Sequence, residues 1–234
     1  MKLPQFQYAE PKSLGKACSL LARYGAEASV LAGGTDLLVK MKQRRFVPEY
    51  VINLKTIPGL DYIRYDESDG LRIGALTTIQ SIKNSIVIKR NFRVLNEAAG
   101  VESSVQIRNR ATIAGNIANA SPAADAPLAL LTLRGSVVLA RKDGEREMLI
   151  EDFLVGPGKT DLHPGEVIRE IHVPPLAPGS GGAYVKHAVR RTDIAIVSVS
   201  AVLTLSDGVC KDARIGLGSV APTAVRARTA EDTL

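Results

Sequence analysis

Tryptophan is absent from this 234-residue chain, and aromatic residues make up only 4% of it. A stacking platform for single-stranded nucleic acid needs several clustered aromatics, and none cluster here. Cysteine is nearly as scarce, with Cys18 and Cys210 the whole complement. Two thiols are too few for a four-cysteine zinc or iron–sulfur site, and too few for a disulfide scaffold. There is no run of about 18 apolar residues, so no membrane span is expected. The opening Met1-Lys2-Leu3-Pro4-Gln5 lacks the apolar stretch of a signal peptide, which makes the cytoplasm the default compartment. His163, His172 and His187 are scattered without helical metal-ligand spacing, and no Ser/His/Asp arrangement can be read. No metal ligands and no catalytic triad are therefore expected on this chain.

What is present suits a folded protein. Apolar residues account for 45% and charged residues for 23%, enough for a real core in one or two compact domains. The net charge is +6, with basic patches at Lys40-Met41-Lys42-Gln43-Arg44-Arg45 and Lys89-Arg90-Asn91-Phe92-Arg93. Patches this short read first as solvated helix faces. A docking surface for an acidic partner is the second reading. Nucleic acid comes last, because no recognition motif accompanies the charge.

Local signals order the chain. Ser13 can cap a helix running to about Tyr24, with Gly25 just past its end. Ala28 to Ala32 reads as a short buried strand, Leu37 to Met41 as a short helix and Tyr50 to Leu54 as a second strand. Three Asp-Gly pairs, Asp69-Gly70, Asp143-Gly144 and Asp207-Gly208, mark hairpin turns between strand-like runs. Helical patterns cover about 78–84, 87–99 and 126–133, with Gly100 and Gly135 as stops for the last two. The Pro/Gly-dense stretch 174–182 reads as a linker. Strand-like runs follow at 183–189, 195–205 and 209–217, with little helix to cover such a sheet. Thr229 looks like the cap of a helix that starts just before the last residue, so the final unit is expected to be incomplete or completed by something else.

Two phosphate-binding look-alikes fail on their own terms. Gly216-Leu217-Gly218-Ser219-Val220-Ala221 matches the dinucleotide fingerprint, but Pro222 stands where its helix should run. Gly156-Pro157-Gly158-Lys159-Thr160 resembles the tail of a P-loop, but the required first glycine is Phe153.

Two other segments carry more. In Val30-Leu31-Ala32-Gly33-Gly34-Thr35-Asp36-Leu37, a strand breaks at paired glycines and a helix begins. Glycines let a backbone approach a ligand closely, and the amides of Gly34, Thr35 and Asp36 could form an anion nest. The plain alternative is a tight turn whose Asp36 caps the helix. The stretch 106–125 sets Thr112, Asn116, Asn119, Ser121 and Asp125 among small residues. Small residues leave backbone open to a ligand, while the polar groups supply directional hydrogen bonds.

Together these segments resemble the FAD-binding (medium) subunits of molybdenum hydroxylases. That family includes carbon monoxide dehydrogenase medium chains, the flavin domain of xanthine dehydrogenase and aryl-CoA reductase flavin subunits. The resemblance rests on A-G-G-T-D-L at Ala32–Leu37, Q-I-R-N-R-x-T-I-x-G-N at Gln106–Asn116 and S-P-x-x-D at Ser121–Asp125. It extends to Gly165–Ile168, Ile171–Pro174, Tyr184–Lys186 and Arg190-Arg191, and spans essentially the whole chain in order.

The resemblance implies an α+β protein: a two-subdomain PCMH-type FAD-binding fold (1–55 and 56–175), a linker (176–182) and an apparently truncated α+β C-terminal domain (183–234). Ala32, Gly33, Gly34, Thr35, Asp36 and Leu37 would wrap the pyrophosphate and ribityl chain. Thr112, Ala114, Gly115, Asn116, Ile117 and Ala118 would line the diphosphate and ribose side. Asp125 would bond a polar group of the nucleotide half, Ile168 would pack on the flavin or adenine, and Lys186 would lie near the flavin. Ala111 and Ala114 depart from the glycines frequent at those positions, and a methyl at 114 could push the backbone from the phosphates. The two distant cysteines exclude the cluster-bearing loop of one aryl-CoA reductase type. The implied activity is that of an FAD-containing electron-transfer subunit. Molybdenum cofactor and iron–sulfur clusters would sit on large and small partner subunits, with NAD, ferredoxin or quinone as the external acceptor. A free-standing FAD oxidoreductase of the same fold, or an assembly module that has lost FAD, are the alternatives.

Overall fold

The computed structural model describes residues 2–234, which fold around three main sheets. The first part contains β1 (Gln7–Ala9), α1 (Leu14–Tyr24), β2 (Ala28–Leu31), α2 (Leu37–Lys42) and β3 (Tyr50–Asn53). Its strands form a parallel sheet in the order β1-β3-β2. Helix α1 starts where the sequence predicts: Ser13 accepts a hydrogen bond from the Lys16 amide, and Gly25 closes the helix at φ +50°. Ala17, Cys18 and Leu21 pack from α1 against Ile52 and Leu54. Replacing the cap, Ser13→Ala, is expected to cost about 1 kcal/mol in urea unfolding. An unchanged midpoint would mean that the cap contributes nothing.

The second part runs through β4 (Ile63–Asp66), β5 (Gly70–Gly74), α3 (Ile79–Asn84), α4 (Ile86–Asn91), α5 (Arg93–Val101), α6 (Val105–Arg108), α7 (Ile113–Ala118) and α8 (Asp125–Thr132). It continues with β6 (Ser136–Arg141), β7 (Gly144–Leu149), α9 (Ile150–Phe153), β8 (Leu154–Gly156), β9 (Lys159–Thr160) and β10 (Val167–Val173). Its five-stranded antiparallel sheet has the order β4-β5-β10-β6-β7. The main core lies between this sheet and the helices, with Leu71, Ile73, Ile113, Ile117, Leu139 and Ile171 at its centre. On the sheet, His172 joins Glu147 (2.9 Å) to the carbonyl of Asp69 (2.7 Å), so this histidine is a structural tie. The P-loop look-alike is only the turn between β8 and β9.

The last part consists of β11 (Ser180–His187), β12 (Val197–Ser206), β13 (Val209–Gly218), β14 (Val225–Arg226) and α10 (Arg228–Glu231). The strands form an antiparallel sheet in that order. All three Asp-Gly pairs lie at the expected hairpins, where the glycines take positive φ.

Several boundaries differ from expectation. The helix expected over 87–99 is two helices, broken at Phe92 (φ −136°, ψ 53°). Burial drives the break: Phe92 is 1% exposed and packs edge-on against Tyr65. Gly100 does not stop α5, which runs on to Val101. Ser180–Gly182, expected in the linker, already belong to β11. Thr229 is inside α10 rather than at its cap, which is Ala227.

The sparse helix of the last part is explained by sharing. Helices α5 and α8 from the second part cover the inner face of β11–β13. The fingerprint glycines of β13 serve this packing. A Cβ on Gly216 would lie 2.8 Å from Leu128 Cδ1, and one on Gly218 would lie 2.4 Å from Ser198 Oγ.

Candidate functional site

The loop after β2 is held tightly from both sides. A Cβ on Gly33 would lie 2.1 Å from the carbonyl oxygen of Arg110, so only glycine lets this loop touch the 106–116 segment. Gly34 follows at φ +79°, a left-handed value that glycine adopts without strain. Lys55 Nζ donates to the Ala32 carbonyl at 3.1 Å. Asp36 occupies the cap position of α2, but its side chain does not cap the helix. Its Oδ1 accepts from Asn119 Nδ2 at 3.3 Å, and Lys40 Nζ donates to Asn119 Oδ1 at 2.7 Å. The plain reading of Asp36 as a helix cap is thereby corrected: the carboxylate ties the glycine loop to the opposite wall.

That opposite wall is built by short capped helices. Ser104 caps α6 at the Ile107 amide, and Thr112 caps α7 at the Gly115 amide. Arg108 is buried, with its guanidinium donating to the carbonyls of Glu102 and Ser103, each at 2.8 Å, and to Gln80 Oε1 at 3.0 Å. This arginine of the sequence motif therefore shapes the turn at 102–103, where Ser103 has φ 45°.

Charge collects at one end. Asp125, the first residue of α8, accepts from the Tyr184 hydroxyl at 2.6 Å and from Lys186 Nζ at 2.9 Å. Both members of the Asp125–Lys186 ion pair are buried, with side chains 4% and 6% exposed. Burial, then the Asp125 charge, pushes the Tyr184 hydroxyl up from its ordinary value. Glu102 follows α5 and is 7% exposed. Its Oε1 accepts from Asn116 Nδ2 at 3.0 Å. Burial first, and the neighbouring Asp125 charge second, push the Glu102 carboxyl up to about 8.

These elements enclose a cavity of about 960 Å³, near the upper end of ordinary small-molecule sites at roughly 300–1,000 Å³. Ala32, Gly33, Gly34, Thr35, Asp36 and Leu37 line one wall. Thr112, Ala114, Gly115, Asn116 and Ala118 line the other, with Asp125, Ile168 and Lys186 also at its surface. Ile117 is placed elsewhere: it is fully buried in the main core with Ile113. Ala111 and Ala114 face the cavity but also pack in that core, so the fold accommodates both methyls.

Sequence reasoning missed several lining residues. Lys40 and Arg45 belong to a patch read first as a solvated helix face; both are indeed exposed, and both also line the cavity. Their spacing from the glycine turn was the available signal. Glu102 and Ser103 carried no local signal, because only the tertiary contacts make Glu102 buried. Among the described residues no helix is long and apolar enough to cross a membrane.

Comparison with known proteins agrees with this geometry. Residues 4–176 match the family described as the FAD binding domain in molybdopterin dehydrogenase. Residues 182–234 match the CO dehydrogenase flavoprotein C-terminal domain. The chain is 38% identical over 223 residues to the carbon monoxide dehydrogenase medium chain of Hydrogenophaga pseudoflava, covering 95% of this chain and 77% of that one. It is 37% identical over 235 residues to the 6-hydroxypseudooxynicotine dehydrogenase complex subunit alpha of Paenarthrobacter nicotinovorans, covering 100% and 79%. Among solved structures, a carbon monoxide dehydrogenase from Hydrogenophaga pseudoflava superposes with a TM-score of 0.96 at 38% identity. That match covers 100% of this chain and 81% of the other.

Proposed function

The chain belongs to the FAD-binding subunits of the molybdenum hydroxylase family, and from that premise we propose that it holds FAD in the 960 Å³ cavity and carries electrons within a larger complex. An iron–sulfur small subunit would exchange electrons with this chain. A molybdopterin large subunit would carry out the substrate chemistry, and an external acceptor such as NAD, ferredoxin or quinone would complete the transfer.

One observation carries the reading: a glycine loop and a segment of small and polar residues meet at Gly33 and Arg110 and enclose a dinucleotide-sized space. The polar residues Thr35, Thr112, Asn116, Asn119 and Ser121 on its lining suit a polar ligand there. Bound FAD supplies the junction between one-electron and two-electron transfer. This chain's residues supply binding, orientation and electrostatics.

The backbone of 33–36 and the cations Lys40 and Arg45 suit the diphosphate. Thr112 and Gly115 are already joined by their cap bond, so this wall is preorganised. Lys186 enters the cavity as half of an ion pair, so its charge toward the ligand is balanced by Asp125. Ile168 provides an apolar surface from β10 against a ring.

The test is flavin content. The purified protein is expected to be yellow, with released FAD close to stoichiometric. Protein that is colourless and cannot be reconstituted with FAD would rule the reading out. Co-expression with the small and large subunits is expected to give one complex, and substrate turnover by this chain alone would contradict the electron-transfer role.

A further inference from the structure

Two loops at the cavity are apolar and exposed at once. Phe46 follows α2 and is 38% exposed, and Ile194 between β11 and β12 is 78% exposed, yet both line the cavity. They therefore mark its mouth, where the lining meets solvent. Val39 and Val47 extend the first edge, and Val189 and Ile196 extend the second, all exposed. Exposed apolar side chains grouped in this way mark an interaction site.

Cations accompany them. Residues 39–47 hold Lys40, Lys42, Arg44 and Arg45 and no acid, and Arg190 and Arg191 stand beside Ile194 against the single acid Asp193. All six cations are exposed. Among the described residues the ion pairs lie elsewhere. Lys40 donates to Asn119 Oδ1 and Arg44 to the Lys2 carbonyl, both uncharged partners. The mouth thus presents a net positive charge to solvent, around apolar side chains.

We propose that this mouth is the docking face for a small acidic electron-carrier protein, which takes single electrons from the flavin in the cavity. This goes further than the FAD reading, which leaves the acceptor open, and it rests on that reading. Electron transfer needs the two redox centres close together, and a cofactor enclosed by protein is approached at its opening. The cations steer a carrier with surface carboxylates into place. Phe46 and Ile194 supply the apolar contact at the centre, and the cations form a polar rim. Permanent subunit interfaces are larger, more apolar and depleted of charge at their core, so this mixture suits a partner that docks and leaves. The dinucleotide fingerprint at 216–221 does not offer a nicotinamide site instead, because Gly216 and Gly218 are taken up by packing against Leu128 and Ser198. An anionic membrane also attracts cations beside apolar side chains. Against it, α2 has only six residues and turns Met41 into the core. The electrons balance over two encounters. Each carrier's redox centre is reduced by one electron, the two-electron-reduced flavin returns to its oxidised form, and its protons pass to water.

The experiment reduces the flavin of the FAD-loaded protein without oxygen and follows its reoxidation by stopped flow. The probes are cytochrome c, which is basic, and cytochrome c succinylated to an acidic protein. Both carry the same haem, so charge is what differs. At low salt the acidic form is expected to accept electrons about tenfold to a hundredfold faster, and the two rates are expected to converge as salt rises to about 0.5 M. Lys42→Glu/Arg44→Glu and, independently, Arg190→Glu/Arg191→Glu are each expected to slow the acidic form by about tenfold. Reoxidation by benzoquinone, a small uncharged acceptor, is expected to stay unchanged, which also shows that each variant is folded and loaded with flavin. Rates independent of probe charge, a preference for the basic form, or wild-type rates in both variants overturn the proposal and leave FAD binding intact. Two other results also overturn it. Loss of the small subunit when either variant is co-purified with its partner subunits assigns the face to a permanent partner. Binding to phosphatidylserine vesicles that either variant abolishes assigns it to a membrane. Protein that takes up no flavin overturns both readings.

Discussion

Gly33→Ala is expected to give a folded chain whose FAD affinity is down by about tenfold to a hundredfold. The added Cβ would meet the Arg110 carbonyl oxygen at 2.1 Å, the Arg110 carbonyl carbon at 2.9 Å and Ala111 Cα at 3.0 Å. All of these are backbone atoms, so no side chain can swing aside. The glycine loop must separate from the 106–116 segment, and those two stretches are the cavity's walls. Overpacking of this kind costs about 1–3 kcal/mol, and each 1.4 kcal/mol is about a factor of ten in affinity. Flavin fluorescence titration measures the loss, and thermal melting shows that the fold survives. Gly100→Ala is the control. A Cβ there meets nothing within 4 Å, and the site is helical. That variant is expected to bind FAD normally and to be as stable as wild type or about 0.5–1 kcal/mol more so. Equal losses in both variants would show that glycine content, not the Gly33 contact, is what matters.

The second large effect concerns the buried ion pair. Lys186→Met removes the partner of Asp125 and leaves a carboxylate at the start of α8 with only the Tyr184 hydroxyl. Breaking a buried pair from one side costs about 3–5 kcal/mol, because the remaining charge is uncompensated. For a chain of this size that corresponds to a drop in melting temperature of about 10 °C. The double variant Asp125→Asn/Lys186→Met removes both charges and is expected to recover most of the loss. The cycle separates charge imbalance from lost packing, since both variants lack the lysine stem. A single variant within about 1 kcal/mol of wild type would mean that the pair behaves as an exposed one. Lys186 also favours ionisation of Glu102. Its removal therefore raises the Glu102 pKa further.

Much of the local structure was legible. The Asp-Gly pairs specify hairpins because the tight turn needs positive φ, and Gly70, Gly144 and Gly208 supply it. Ser13 specifies a helix start because its hydroxyl can take the otherwise unpaired Lys16 amide. Both are bargains between near neighbours in the chain. The failures share a different cause. Phe92 lies inside a continuous helical pattern, but its ring is drawn into the core and the helix breaks. The final sheet looked uncovered because α5 and α8, which cover it, lie far back in the sequence. Ile117 sits in a binding-like stretch, yet the helical turn points its side chain into the core.

By itself, then, the sequence determined the hairpin turns, the Ser13 cap, the glycine loop, the family and most of the residues on the two walls of the candidate site. All of these depend on backbone conformation or on residue types in fixed order. Only the tertiary structure decided the electrostatics. Lys186 reads as a lysine near the flavin, and only the fold shows it paired with Asp125; Lys40 and Arg45 are exposed as read, and only the fold shows that they also line the cavity. Glu102 carries no local signal, and only burial brings it against Asn116 and within reach of Asp125. The proton affinity of such a group is set by water excluded and by charges contributed from other elements. No single segment contains that information, because the environment exists only once α5, α7, α8 and β11 have packed together.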